Sequence, residues 1–130
     1  MGSASVIVLD THFWVWFHLG DSRLTQPVAS VIGRDTVLSA ASIWEVVTLI
    51  QKGRLVSDLT AEDTVLKWLL EAPMRVVPID GDIAILSRTL DFVHDDPGDR
   101  FIAATAFKQK APLATVDTRL QALPWLTTIR

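Results

Sequence analysis

The strongest constraint on the fold is a short, wholly apolar stretch near the start of the chain. Residues 6–9 read Val-Ile-Val-Leu, which predicts a strand covered on both faces rather than one with a solvated side. Strands of this kind occur in parallel sheets, where each connection crosses over through a helix. We therefore expect strands to alternate with helices along the 130 residues.

The remaining sequence pattern agrees with this expectation. Apolar and β-branched runs predict strands at 6–9, 36–39, 75–78, 113–116 and 126–129. Capping residues and helix breakers predict helices at 12–19, 26–32, 42–52, 60–71, 83–90 and 97–110, and a helical turn at 118–122. The pattern is typical of a three-layer α/β/α fold around a mainly parallel five-stranded sheet. Because no linker or repeat interrupts it, we expect residues 1–130 to form a single domain.

Composition excludes several classes of protein and site. The absence of Cys removes disulfides, Cys-ligated zinc, iron–sulfur clusters and Cys nucleophiles, and it is consistent with a cytoplasmic location. The longest apolar run, residues 13–17, is far shorter than the ~18 residues of a membrane span, and we expect no secretory signal. With a net charge of −3, the protein needs a local basic patch to bind nucleic acid.

Acidic side chains follow several of the predicted elements. Asp10 comes directly after the first strand, Glu45 lies early in the third helix, and Asp117 follows the fourth strand, while Asp96 and Asp99 open the long helix. Sites in α/β sheets form at the carboxyl ends of the strands. Two carboxylates ~4 Å apart repel by about 4 kcal/mol at an effective dielectric near 20, so convergence of these acids would either force protonation or require a cation. Oxygen ligands suit Mg²⁺ or Mn²⁺ rather than zinc.

Each acid also has a purely structural explanation. Asp10 can cap a helix, and Asp96 and Asp99 fit the first turn of a helix that begins with proline. Asp117 can be a turn residue, and Glu45 can lie on the exposed stripe of an otherwise buried helix. Spacing alone therefore leaves the structural and the functional interpretation open.

Five segments, taken together, connect the chain to a known family. They are 8–12 (Val-Leu-Asp-Thr-His), 39–45 (Ser-Ala-Ala-Ser-Ile-Trp-Glu), 52–55 (Lys-Gly-Arg-Leu), 94–106 (His-Asp-Asp-Pro-Gly-Asp-Arg-Phe-Ile-Ala-Ala-Thr-Ala) and 114–117 (Ala-Thr-Val-Asp). In this order and spacing the chain resembles PIN-domain ribonucleases, and most closely the VapC-like toxins of bacterial and archaeal toxin–antitoxin pairs. The resemblance extends over nearly the whole chain.

The resemblance implies a catalytic site and a reaction. It implies hydrolysis of RNA phosphodiesters by a metal-activated water, with Mg²⁺ or Mn²⁺ as the cofactor. The four acids implied to bind the metal and act in catalysis are Asp10, Glu45, Asp99 and Asp117. The supporting residues implied beside them are Asp96, Thr11 and Thr115. The resemblance also implies two partners: a second copy of the chain in a homodimer, and an antitoxin protein that silences it. Without the antitoxin, the family's toxin members inhibit translation.

The chain also departs from the family pattern. Gly98 stands where many relatives carry a bulky residue, and Asp95 stands where a basic residue is frequent. An added negative charge beside the site is expected to weaken the approach of RNA slightly or to tighten metal binding. These departures therefore concern substrate preference rather than the class of reaction.

Basic side chains are needed to hold RNA, because phosphate neutralisation dominates its affinity. Lys52 and Arg54 follow the helix that carries Glu45, and Arg100 comes directly after an acid of the predicted site. We predict that these three contact phosphate. Each can instead be a solvated charge or part of a salt bridge.

Two alternative functions remain open at this stage. A PIN-fold binding module that has lost catalysis would keep the same pattern of elements. A Mg²⁺-dependent phospho-acceptor domain also places an Asp after its first strand, but it needs further acids that are missing here: residue 12 is His, and no acidic pair precedes Asp10.

An aromatic helix carries the remaining strong signal. Phe13, Trp14, Trp16 and Phe17 fall within five residues, too apolar all round for a helix lying alone on a surface. We expect these side chains to be core, with a self-association face as the alternative.

Overall fold

The computed structural model describes residues 6–33 and 35–130. Its strands are β1 (Ile7–Leu9), β2 (Thr36–Ser39), β3 (Arg75–Val77), β4 (Leu113–Ala114) and β5 (Thr128–Ile129). Its helices are α1 (Thr11–Leu19), α2 (Gln26–Ala29), α3 (Ala40–Gln51), α4 (Ala61–Glu71), α5 (Gly81–Thr89), α6 (Pro97–Gln109) and α7 (Thr118–Gln121).

The five strands form one sheet in the order β3-β2-β1-β4-β5, and all four pairings are parallel. This confirms the predicted α/β fold with a five-stranded sheet. The chain runs from β1 outward to β2 and β3 and then returns to β4 on the other side of β1. The connections therefore reverse direction between β1 and β4, and this reversal opens a crevice at the carboxyl ends of those two strands.

Successive residues of β1 pack into two different cores, one on each face of the sheet. Val8 packs in one cluster with Ile83 and Ile102 of α5 and α6, whereas Leu9 packs in the other with Trp14 and Trp68 of α1 and α4. This alternation follows from the two-residue period of a strand, and it gives the three layers predicted from sequence.

The aromatic helix belongs to the core, as expected. Phe13 and Trp14 are completely buried and Trp16 is 8% exposed, while Phe17 is half-buried. Packing inside one protomer thus accounts for most of the apolar surface of α1.

Several element ends differ from the predictions. Helix α3 begins at residue 40 rather than 42, because the Ser39 hydroxyl accepts the Ala41 N–H at 3.1 Å and caps the helix. Helix α5 begins two residues early because Asp80 caps it. Helix α2 ends at residue 29 rather than 32, where the Ser30 hydroxyl donates to the Pro27 carbonyl. Strands β4 and β5 have two residues each, since their register pairs only two positions.

The longest helix of the described residues, α6, has 13 residues. None of the helices in that part of the chain combines the length and the apolar character that crossing a membrane requires.

Candidate active site

Asp10 lies at the carboxyl end of the central strand and is 3% exposed. Its Oδ1 accepts the Thr11 N–H at 2.8 Å, and its Oδ2 accepts the Thr115 hydroxyl at 2.6 Å. Burial raises the pKa of Asp10, and the nearby Asp99 carboxylate raises it further. Asp10 is therefore both the cap of α1, as the structural interpretation predicted, and a buried acid with a second acid close by.

Glu45 faces the same crevice from α3. The Thr11 hydroxyl lies 3.0 Å from Glu45 Oε1 and 2.8 Å from the hydroxyl of Ser42, one turn earlier on the helix. Burial raises the pKa of Glu45 to about 7, and the carboxylates of Asp10, Asp99 and Asp96 act in the same direction. The polar stripe of α3 is thus buried at its beginning, which excludes the interpretation of Glu45 as a freely exposed side chain.

Asp96 and Asp99 open helix α6. Asp96 Oδ1 accepts the Asp99 N–H at 3.0 Å and so caps the helix. The Asp99 side chain is 15% exposed, and its Oδ2 lies 3.0 Å from His94 Nε2. Burial raises the pKa of Asp99, with contributions from Asp96 and Asp117. Both acids therefore help to form the helix start, and both add charge to the crevice.

Asp117 reaches the crevice from the end of β4. Its N–H donates to the Thr115 hydroxyl, which itself donates to Asp10, so one threonine links two of the predicted ligands. Arg119 Nη2 lies 3.1 Å from Asp117 Oδ2 and 3.6 Å from Asp99 Oδ2. Burial acts to raise the pKa of Asp117, but the hydrogen bonds from Arg119 outweigh burial and lower it.

Gly98 provides the space that Glu45 occupies. A Cβ at this position would lie 2.8 Å from Glu45 Oε1 and 2.9 Å from its Cδ, closer than non-bonded atoms approach. The Glu45 carboxylate therefore lies against the first turn of α6, in space that a larger residue at position 98 would fill.

The four acids predicted to bind a metal, Asp10, Glu45, Asp99 and Asp117, line one crevice. As the side chains stand, no three His, Asp or Glu residues within 6–33 and 35–130 are grouped as a metal site requires, and Asp99 instead lies against His94 and Arg119. The chemistry of the donors nevertheless fits Mg²⁺ or Mn²⁺. The groups are carboxylate oxygens, and burial together with neighbouring carboxylates raises the pKa of Asp10, Glu45 and Asp99.

Of the three predicted RNA contacts, Arg100 is largely buried, whereas Lys52 and Arg54 are exposed. Arg100 has a 13% exposed side chain, and its guanidinium donates to the backbone carbonyls of His94 and Ser87 and pairs with Asp95 at 3.4 Å. Its hydrogen bonds therefore hold the loop before α6. Lys52 and Arg54 are exposed at the far end of α3 and stay predicted phosphate contacts.

Sequence reasoning did not assign three residues of this site. Ser42 bonds to Thr11, His94 contacts Asp99, and Arg119 pairs with Asp99 and Asp117. Ser42 shares the polar stripe of α3 with Glu45, and this pattern could have found it. The position of Arg119 two residues after an acid was a weaker signal, because such pairs are common in turns.

The comparisons with known proteins agree with this geometry. The family model described as the PIN domain matches residues 7–126. The chain belongs to the PIN-domain family. It is 29% identical over 123 residues to Ribonuclease VapC22 of Mycobacterium tuberculosis, an alignment that covers 91% of this chain and 92% of that protein.

Solved structures share the fold of this PIN domain. A toxin–antitoxin complex from Klebsiella pneumoniae superimposes with a TM-score of 0.70 at 18% identity, covering 95% of this chain and 96% of the other. VapBC2 from Rickettsia felis, bound to a DNA fragment from its promoter, superimposes with a TM-score of 0.69 at 13% identity, covering 95% and 97%. At identities this low, the superpositions show a shared fold and nothing further.

Proposed function

We propose that this PIN domain is a metal-dependent endoribonuclease and the toxin of a toxin–antitoxin pair. The observation that carries the proposal is the crevice between β1 and β4, where Asp10, Glu45 and Asp99 are partly or fully buried, and where burial first and neighbouring carboxylates second raise the pKa of each. Burying acids together costs free energy, and proteins retain such arrangements where a cation binds. The relative named as a ribonuclease supports RNA as the substrate class.

The residues proposed to hold Mg²⁺ or Mn²⁺ are Asp10, Glu45, Asp99 and Asp117. When bound, such an ion lowers the pKa of water and neutralises charge that develops on a phosphate. The chain itself orients the acids: Thr115 holds Asp10, Thr11 holds Glu45, and His94 contacts Asp99.

Arg119 supplies positive charge at the mouth of the crevice. Its side chain is 54% exposed, so its guanidinium is accessible to a phosphate while it still pairs with Asp117. Because the protein carries a net charge of −3, we propose that Arg119, together with Lys52 and Arg54, offsets the repulsion of RNA by the acids.

The proposed partners are an antitoxin protein and a second copy of the chain. The structures with this fold include toxin–antitoxin complexes, which supports an antitoxin. Association with a second copy rests on the family resemblance, and its measurement is the molar mass in solution by light scattering.

The test is cleavage of purified total RNA with Mn²⁺. We expect discrete fragments from the wild type, their loss on chelation, and a rate lower by on the order of 100-fold or more in Asp99→Asn. Asp58→Asn is the matched control, because Asp58 is an exposed acid in the loop before α4. Equal cleavage by wild type and Asp99→Asn would reject the assigned site.

A non-catalytic PIN-fold module is the second candidate. It is favoured by the lack of any three acid or His side chains grouped for a metal in residues 6–33 and 35–130. Calorimetric titration with Mn²⁺ separates the two: no heat of binding at millimolar concentration, together with no RNA cleavage, would support the inert module.

A further inference from the structure

One tryptophan departs from the pattern of the others. Trp14, Trp16 and Trp68 are at most 8% exposed and Trp125 is half-buried, whereas Trp44 is 63% exposed although it lies on α3 directly before Glu45. A single exposed apolar side chain is common on protein surfaces, but the Trp44 indole combines a large flat face with an N–H group and lies directly beside the acidic crevice.

Trp44 borders an apolar cavity of about 450 Å³. The cavity lies between the beginnings of α3 and α6, and its lining residues are Ala41, Trp44, Ile79, Pro97, Gly98 and Phe101. The indole N–H is the only side-chain hydrogen-bonding group among them, so an occupant would be held by contact and stacking.

Gly98 forms the wall between this cavity and the acidic crevice. It lines the cavity, and a Cβ on it would lie 2.8 Å from Glu45 Oε1. An occupant of the cavity would therefore lie within one residue's thickness of the Glu45 carboxylate. A suitable ligand has a flat apolar part and, attached to it, a group that reacts at the acids.

We propose that Trp44 and this cavity form a subsite for one RNA base, next to the phosphodiester bond that is cut. The proposal rests on the proposed ribonuclease function and adds a substrate-binding residue to it. A nucleotide has the required form, because its base stacks on aromatic side chains while its phosphate extends away from the ring. An apolar side chain of a protein partner would fill the volume, but it would have no phosphate to place in the adjoining crevice.

The lining also determines how the base is selected. Apart from the indole N–H, no side chain of the cavity donates or accepts a hydrogen bond, so the edges of the base are not read. Selection at this position follows stacking strength, and we expect purines to bind better than pyrimidines without strict choice of one base.

The experiment compares Trp44→Ala, Trp44→Phe and the control Leu70→Ala, since Leu70 is 80% exposed on α4. Cleavage of a short RNA of mapped cut site is measured with Mn²⁺. We expect Trp44→Ala to raise KM about 10-fold, because it removes the stacking of one base, with a smaller change in kcat. Trp44→Phe should retain most of the affinity, and Leu70→Ala should match the wild type.

An abasic nucleotide gives an independent readout. Substrates with one abasic position on either side of the cut are compared, and one of them should bind about 10-fold more weakly to the wild type. The same substrate should lose nothing further in Trp44→Ala, because both changes remove one stack. Fluorescence is measured in Asp99→Asn protein, which is expected to leave RNA uncut. RNA should quench part of the tryptophan emission, and this quenched part should be missing when Trp44→Phe is added.

Three results would overturn the proposal. One is an unchanged KM in Trp44→Ala, and another is full additivity of the abasic and Trp44→Ala effects. The third is emission of Trp44 that responds to an antitoxin but not to RNA, which would assign the cavity to a protein partner. If the wild type cleaves RNA and Asp99→Asn does not, the nuclease stands even where the base subsite fails. If the wild type neither binds nor cleaves RNA, both proposals fail.

Discussion

The two ends of helix α1 both bury a titratable group, yet they differ in what surrounds it. At the beginning, Asp10 has both carboxylate oxygens hydrogen-bonded and another acid nearby, and its pKa is raised. At the end, the His18 side chain is 4% exposed and stacks on Trp68 with ring centroids 4.7 Å apart. Its Nε2 has no hydrogen-bond partner within the described part of the chain.

Burial favours the neutral form at both ends, but the neighbours have different consequences. Burial lowers the pKa of His18 to about 4, and nearby Lys67 adds to this while Glu71 opposes it. The surroundings of His18 are mainly aromatic, which is typical of packing. The surroundings of Asp10 are polar and acidic, which is typical of a site that receives a cation. The lesson is that a perturbed pKa identifies a functional site only together with its neighbours.

The largest expected effect is that of Asp10→Asn. Asn retains the oxygen that caps α1 and the size of the side chain but removes the buried charge. Its amide nitrogen replaces the oxygen that accepts the Thr115 hydroxyl, so this hydroxyl has to rotate and accept from the amide instead. We expect RNA cleavage to fall by on the order of 100-fold or more, with an unfolding midpoint equal to or above that of the wild type in metal-free buffer. A marked loss of stability would instead assign Asp10 a mainly structural role and would weaken the contrast between the two ends.

The second prediction concerns pH and His18. Because its folded pKa lies below its unfolded value, unfolded chains bind the proton first and stability falls as pH drops from about 6.5 toward 4. Between about pH 7.5 and 5 we expect the wild type to lose on the order of 2 kcal/mol in the free energy of unfolding relative to His18→Phe. The raised pKa of Glu45 acts in the opposite direction in both proteins and cancels in this difference. Urea unfolding at several pH values measures it.

The control for this measurement is His12→Phe, since His12 is exposed on the same helix. The variant should retain the wild-type pH dependence. RNA cleavage at neutral pH should be unchanged in His18→Phe, and a loss of activity there would show that the two ends of α1 are coupled.

The smallest expected effect is that of Gly98→Ala. The new Cβ would displace the flexible end of Glu45 rather than the backbone, so cleavage should fall several-fold while stability changes by less than about 1 kcal/mol. Gly81→Ala is the matched control, because it lies in the first turn of α5 with no atom within 4 Å of an added Cβ. Equal RNA cleavage by the two variants would show that Gly98 has no role in the active site.

The layers of the fold were predictable from sequence, and so was the placement of the acids at strand ends and helix starts. The apolar run before Asp10 and the alternation of strands with helices were sufficient to predict a covered parallel sheet, because burial on both faces leaves a direct compositional signal. Capping residues such as Thr60 and Asp96 placed helix starts well. They failed at α3, where Ser39 caps the helix and Ser42 is inside it.

Which polar residues contact one another depends on how the elements pack together. The pairing of Thr115 with Asp10 spans 105 positions, and the contact of Gly98 with Glu45 depends on how two helices pack against each other. The structure likewise placed Arg100 inside the fold and Arg119 at the crevice, although both are arginines close to acids in sequence. Local pattern records which residues are adjacent along one element, whereas a site is made by side chains from several elements. Their distances are set by packing of the whole core, and no single segment encodes that packing.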